Sequence, residues 1–99
     1  MTGEGQASAP RVERVLPICN VKGLHARASA KFAETAHRFD ADVRVTRDQL
    51  TVSAISIMGL LMLAAANGSE IHVAATGPEA EAAVEALAEL VANRFGEEK

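Results

Sequence analysis

Apolar residues recur along this chain with two different spacings, and the points where the spacing changes divide it into seven elements. Val12, Leu16 and Ile18 share one parity over Val12 to Cys19, while Arg14 interrupts the pattern and Pro17 falls on the other face. That predicts an imperfect or edge strand. From Ala26 to Phe39 the period lengthens: Ser29, Phe32, Ala33, Ala36 and Phe39 line one helical face, with Glu34 and Arg38 four residues apart on the other. Asp42 to Thr46 alternates, Arg47-Asp48-Gln49 reads as a turn, and Leu50-Thr51-Val52 resumes the alternation, which predicts a hairpin. Ser56 to about Ala66 is a short helix capped by Ser56 and closed by Asn67-Gly68. Ile71 and Val73 then alternate with Glu70 and His72 in a further strand. Pro78 opens a last helix with Glu79 and Glu81 in its first turn and Ala80, Val84, Leu87 and Val91 as its buried stripe.

The order β-α-β-β-α-β-α predicts an α+β fold, with helices stacked on one face of an antiparallel sheet whose other face is solvated. Residues 1–10, rich in Gly, Ser, Ala and Pro without periodicity, read as a disordered tail, and residues 11–99 as one domain. An apolar content of 48% in 99 residues suffices for a two-layer core, but such a short chain cannot enclose a deep cavity. Any chemistry is expected at the surface.

Charge narrows the partners. Ten basic and thirteen acidic residues give a net charge of −3, and the aromatics are three phenylalanines. Neither a basic stripe nor a stacking platform is visible, so nucleic acid is not an expected partner. The N-terminus lacks basic and apolar leader regions, and the nonpolar run from Ile57 to Ala66 is too short for a membrane span; a soluble, cytoplasmic protein is expected. The single cysteine, Cys19, excludes an internal disulfide and is expected to pack as a small hydrophobe at a strand end. Three isolated histidines and one cysteine have no metal-ligand spacing, and no metal or other cofactor is expected.

The segment from Gly23 to Phe32 carries the sharpest chemistry. Glycine lets the chain turn into a helix whose first N–H groups lack intrahelical acceptors, so His25 and Arg27 stand at a positive helix end suited to an anion. A neutral imidazole there is a nucleophile toward phosphorus, and Arg27 can fork onto the transferred oxygens. His25 also has a plainer reading as a cap of free N–H groups. His37, in the last helical turn, reads as a partner of free carbonyls, and His72 as a solvated residue on the outer face of its strand.

Ser56 reads first as a helix N-cap, and a phosphate added there would meet a favourable dipole, which makes it a candidate regulatory site. The helix behind it is apolar nearly all round. Core packing is expected for Ile57, Leu60 and Leu63, leaving Met58, Leu61 and Met62 as an adaptable docking patch. Glu81, Glu85 and Glu89 read as a solvated helix face.

The run Gly-Leu-His-Ala-Arg, followed by Ser56-Ile57-Met58-Gly59 and Asn67-Gly68-Ser69-Glu70-Ile71, resembles the HPr family of phosphocarrier proteins, over roughly Val12 to Phe95. The resemblance implies an open-faced β-sandwich, a four-stranded antiparallel sheet in order 1-4-2-3 covered by three helices. It implies a stoichiometric carrier of the phosphoenolpyruvate-dependent phosphotransferase system rather than an enzyme. His25 matches the histidine that accepts a phosphoryl group through Nδ1 from Enzyme I and passes it to an EIIA-type acceptor. Arg27 matches the arginine that steadies the group, and Ser56 the serine that an HPr kinase/phosphorylase modifies in many members. Met58, Leu61 and Met62 fall where the family docks partners, and a carrier alternating between them is expected to be monomeric. Ala28 stands where members usually have proline, which implies a less restricted first turn. Leu60 to Leu63 and Ala75-Thr76-Gly77-Pro78-Glu79 are similar to the nitrogen-related branch, which implies a regulatory pathway. The alternative is a non-catalytic small α+β binding module in which His25 only caps its helix.

Overall fold

The structure, a computed structural model, describes residues 11–99; the expected tail over residues 1–10 lies outside them. Four strands, β1 (Arg11–Pro17), β2 (Asp42–Arg47), β3 (Leu50–Ser53) and β4 (Glu70–Thr76), form one antiparallel sheet in the order β1-β4-β2-β3. Helices α1 (Ala26–His37), α2 (Ile57–Met62) and α3 (Ala80–Ala92) supply the covering layer. This is the open-faced α+β arrangement that the alternation of periods predicts.

Register explains the core. Val45 pairs with Val73, Leu16 with Ile71, and both Val12 and Val43 face Ala75, so the inward residues of three strands form one apolar sheet face. Phe32 of α1, Leu60 of α2 and Val84, Leu87 and Val91 of α3 close over it, all buried. Arg14 breaks the parity of β1 without harm because β1 is an edge strand: its guanidinium reaches the exposed rim of the helical layer and bonds Glu85 of α3 at 3.0 Å.

Several expectations are corrected. The second helix ends at Met62 rather than near Ala66, because Ala64 adopts a left-handed φ of 52° and Arg47 donates to the Leu63 carbonyl at 3.1 Å. Asn67-Gly68 instead turns the chain into β4, with Gly68 at φ 92°. Ile57 is not core: it is 44% exposed, whereas Leu60 and Leu63 are buried. The last helix begins at Ala80, because Glu79 turns back, its N–H donating to the Asp40 carbonyl at 3.0 Å and its carboxylate accepting from the Asp40 N–H at 2.7 Å. Cys19 is exposed, its Sγ lying 3.4 Å from the Val91 carbonyl at the helix end rather than inside the core. β1 stops at Pro17, two residues before it.

After α3 the chain reverses in a single turn at Arg94–Gly96, in which Arg94 and Phe95 both have φ of 55°. Left-handed backbone costs a non-glycine residue roughly 1–2 kcal/mol. Phe95 is nonetheless buried, at 1% exposure, and burial of such a side chain stabilises by about 1.5–3 kcal/mol. Lys31 of α1 adds a bond to its carbonyl at 2.7 Å. The turn therefore holds, and it directs residues 97–99 back toward the start of α1.

Candidate functional site

His25 occupies the N-cap of α1 in extended conformation, φ −74° and ψ −177°. Its approach is fixed by Gly23, whose φ of 68° suits glycine and whose missing side chain leaves room for the loop after α2: a Cβ there would lie 2.5 Å from the Ala65 carbonyl oxygen. The Leu24 N–H donates to that same oxygen at 2.8 Å, and Ser29 ties back through its hydroxyl to the Leu24 carbonyl at 3.1 Å. Leu24, Ala28 and Ser29 are buried, so the imidazole is carried on a rigid base.

The two ring nitrogens have different partners. Nδ1 accepts the Arg27 backbone N–H at 3.2 Å, a contact at the long end of the normal range. Nε2 bonds the Glu97 carboxylate. An ionised carboxylate only accepts, so Nε2 carries the proton and Nδ1 keeps its lone pair, directed at the helix opening. Glu97 is held well enough to stay ionised: the Asn20 amide donates to its other oxygen at 3.0 Å, and that bond, then the one with His25, keeps its carboxyl below the usual range.

Around this pair opens a cleft of about 640 Å³ whose cations are Lys22, Arg27 and Lys99 and whose acidic residues are Glu97 and Glu98. Arg27 itself is exposed and its side chain has no ion-pair partner among the described residues. A tetrahedral dianion placed at the helix start would meet the first-turn N–H groups and the exposed Arg27 guanidinium. His25 and Arg27 are thus brought together as the sequence predicts.

The other candidates lie outside the cleft. Ser56 caps α2, its Oγ accepting the Gly59 N–H at 3.0 Å. Met58 and Met62 are 69% and 65% exposed, while Leu61 is only half-buried, so the apolar patch of α2 consists of Ile57, Met58 and Met62 with Leu61 behind. His37 is exposed in the last turn of α1, and His72 pairs with Glu13 at 2.9 Å on the outer sheet face. No group of three or more potential metal ligands occurs among the described residues. No helix among them is long and apolar enough to cross a membrane.

Asn20 and Glu97 are the site residues that sequence reasoning did not find. Asn20 lies in a loop with no pattern of its own, and Glu97 is 72 residues from His25 in the short charged segment Glu97-Glu98-Lys99. Only the buried Phe95 gives a local hint that the segment folds back.

A family model described as "PTS HPr component phosphorylation site" matches residues 12–93. The chain belongs to the HPr family. It is a phosphocarrier protein of the phosphotransferase system. Among curated relatives, Phosphocarrier protein HPr of Cupriavidus necator is 46% identical over 86 residues, covering 87% of this chain and 97% of the relative. Phosphocarrier protein NPr of Shewanella violacea is 41% identical over 87 residues, covering 88% and 96%. An HPr crystal structure from Thermoanaerobacter tengcongensis superposes with a TM-score of 0.85 at 39% identity, covering 89% of this chain and 99% of that one.

Proposed function

We propose that His25 is the phosphoryl acceptor of this carrier, taking the group on Nδ1 from Enzyme I and handing it to an EIIA-type protein. The observation that carries this reading is the division of labour on the ring: Nε2 is occupied by Glu97, and the lone pair of Nδ1 stands at the positive start of α1 beside Arg27. In the transfer, the Nδ1 lone pair forms an N–P bond as the bond to the donor breaks, its electron pair remaining with the donor. The Arg27 N–H released from Nδ1 and the Arg27 guanidinium then face the phosphoryl oxygens, which stabilises charge where it develops. The histidine is regenerated when the next protein takes the group, so the chain is a stoichiometric carrier rather than an enzyme.

The exposed apolar residues Met58 and Met62, with Leu61 and Ile57, suit transient docking of both partners, since fast exchange requires a modest interface. Ser56, beside that patch, is the proposed regulatory phosphorylation site for an HPr kinase/phosphorylase. The similarity to an NPr protein supports a place in a nitrogen-related, regulatory pathway. The carrier works as a cytoplasmic monomer in this reading.

Mixing the chain with Enzyme I and phosphoenolpyruvate tests the central claim. An acid-labile mass increase of one phosphate is expected, absent in His25→Ala. An increase that survives His25→Ala, or none in the unaltered chain, would leave His25 as a helix cap and the chain as a binding module.

A further inference from the structure

Glu97 lies beyond the 12–93 segment that the family model matches, yet it is the side chain in closest contact with the histidine ring. Three independent ties bring it there: the buried Phe95, the Lys31 bond to the Phe95 carbonyl at 2.7 Å, and the Val21 N–H donating to the Lys99 carbonyl at 3.1 Å. The Asn20 side chain then fixes the carboxylate itself. Fully buried, its Nδ2 donates to the Gly23 carbonyl at 2.8 Å and to Glu97 at 3.0 Å, while its Oδ1 has no partner. A buried carbonyl without a donor is unfavourable. Turning the amide over would set Oδ1 against two acceptors, so the orphaned oxygen is the consequence of aiming both amide protons at the Gly23 loop and at Glu97.

We propose that Glu97 is a positioning residue for phosphoryl transfer at His25: held by Asn20, it fixes the ring as its Nε2–H tautomer, leaves Nδ1 as the nucleophile, and faces the positive charge the ring acquires as the N–P bond forms. This rests on His25 being the acceptor. The charge balance is simple. A neutral ring protonated on Nε2 becomes, on gaining the phosphoryl group at Nδ1, an imidazolium that still carries that proton, and the pair to Nδ1 returns when the group is handed on. No proton leaves the Glu97 contact in either step. The logic is that of a buried carboxylate orienting a catalytic histidine, here in a carrier.

Glu97→Gln is the discriminating change because an amide has one acceptor and one donor end. With its oxygen toward His25, its NH2 opposes the Asn20 amide; turned over, its NH2 meets Nε2 and favours the proton on Nδ1. The experiment uses the ¹⁵N-labelled full chain, reading the ring nitrogens of neutral His25 by two-bond ¹H–¹⁵N correlation, and the initial rate of phosphorylation by Enzyme I and phosphoenolpyruvate. The unaltered chain is expected to show the Nε2–H form. Glu97→Gln and Glu97→Ala are expected to raise the Nδ1–H share and slow phosphorylation about tenfold, the lower end for loss of a group that orients a functional histidine. Glu89→Gln, on the exposed face of α3 and outside the cleft, is the matched control, expected to change neither. An unchanged tautomer ratio in both Glu97 variants overturns the proposal, even if the rate falls, because a merely structural role would slow transfer without moving the ring proton. An unchanged rate overturns it too. Failure of the unaltered chain to take up phosphate on His25 is a separate result that defeats the acceptor reading, since the tautomer measurement needs no partner.

Discussion

At the scale of single residues, the site depends on positions where one atom decides what the backbone can do. Gly23 is the sharpest case: it has left-handed φ, and any β-carbon would press on the Ala65 carbonyl, which already accepts the Leu24 N–H. Gly23→Ala should therefore combine backbone strain with a clash against main chain, costing roughly 2–3 kcal/mol of unfolding free energy in urea melts, near the upper end of ordinary substitutions. It should also disturb the His25 and Ser29 amide resonances more than those of the distant β2-β3 hairpin. A loss below about 0.5 kcal/mol, with the α1 amides unmoved, would mean the loop has slack that the geometry denies. Gly23, His25 and Arg27 are legible from residue chemistry alone, because glycine's freedom and a helix's free N–H groups are local properties. Asn20 is not legible, since a buried asparagine and a surface one look alike until their neighbours are known.

At the scale of elements, α2 shows how a short helix is shaped by what surrounds it. Its sequence is apolar well past Met62, but the helix stops there because Ala65 is taken by Leu24 and the Leu63 carbonyl by Arg47. The Ser56 cap was visible in the sequence, and Gly59, whose N–H it satisfies, packs so close that an added β-carbon would lie 3.1 Å from Oγ. A phosphate on Ser56 would put a dianion at the edge of the apolar patch formed by Ile57 and Met58. Ser56→Asp, which keeps a capping carboxylate while adding charge, should leave thermal stability nearly unchanged and slow phosphorylation of His25 by Enzyme I several-fold. Equal rates for Ser56→Asp and the unaltered chain would remove Ser56 from the control of docking.

At the scale of the whole molecule, residues 97–99 close back onto the segment that leads into α1, through Asn20, Val21 and the histidine. The Glu97 carboxyl is held below its ordinary value near 4.5, first by Asn20 and then by His25. A carboxyl whose value is lower in the folded than in the unfolded chain binds fewer protons when folded. Its contribution is thus fully present above the unfolded value and is lost as pH falls through the lowered folded one. The stability difference between the unaltered chain and Glu97→Gln should accordingly be level above about pH 5.5 and shrink on acidification below about 4.5, read by urea melts at a series of pH values. A difference that grows on acidification would show that the pair does not favour the ionised carboxylate. Glu13, lowered chiefly by Arg11 on the outer face, titrates in both proteins and cancels from the comparison.

The sequence by itself determined the element order, the apolar faces, the caps at His25 and Ser56 and the pairing of a histidine with an arginine at one helix start. Each of these follows from periodicity or from chemistry within a few residues, and so survives whatever the rest of the chain does. The tertiary structure alone decided that Ile57 faces solvent, that α2 ends at Met62, and that Asn20 and Glu97 reach the imidazole. Those outcomes depend on competition for the same carbonyls and the same core volume between segments up to 77 residues apart, and no local pattern encodes which competitor prevails.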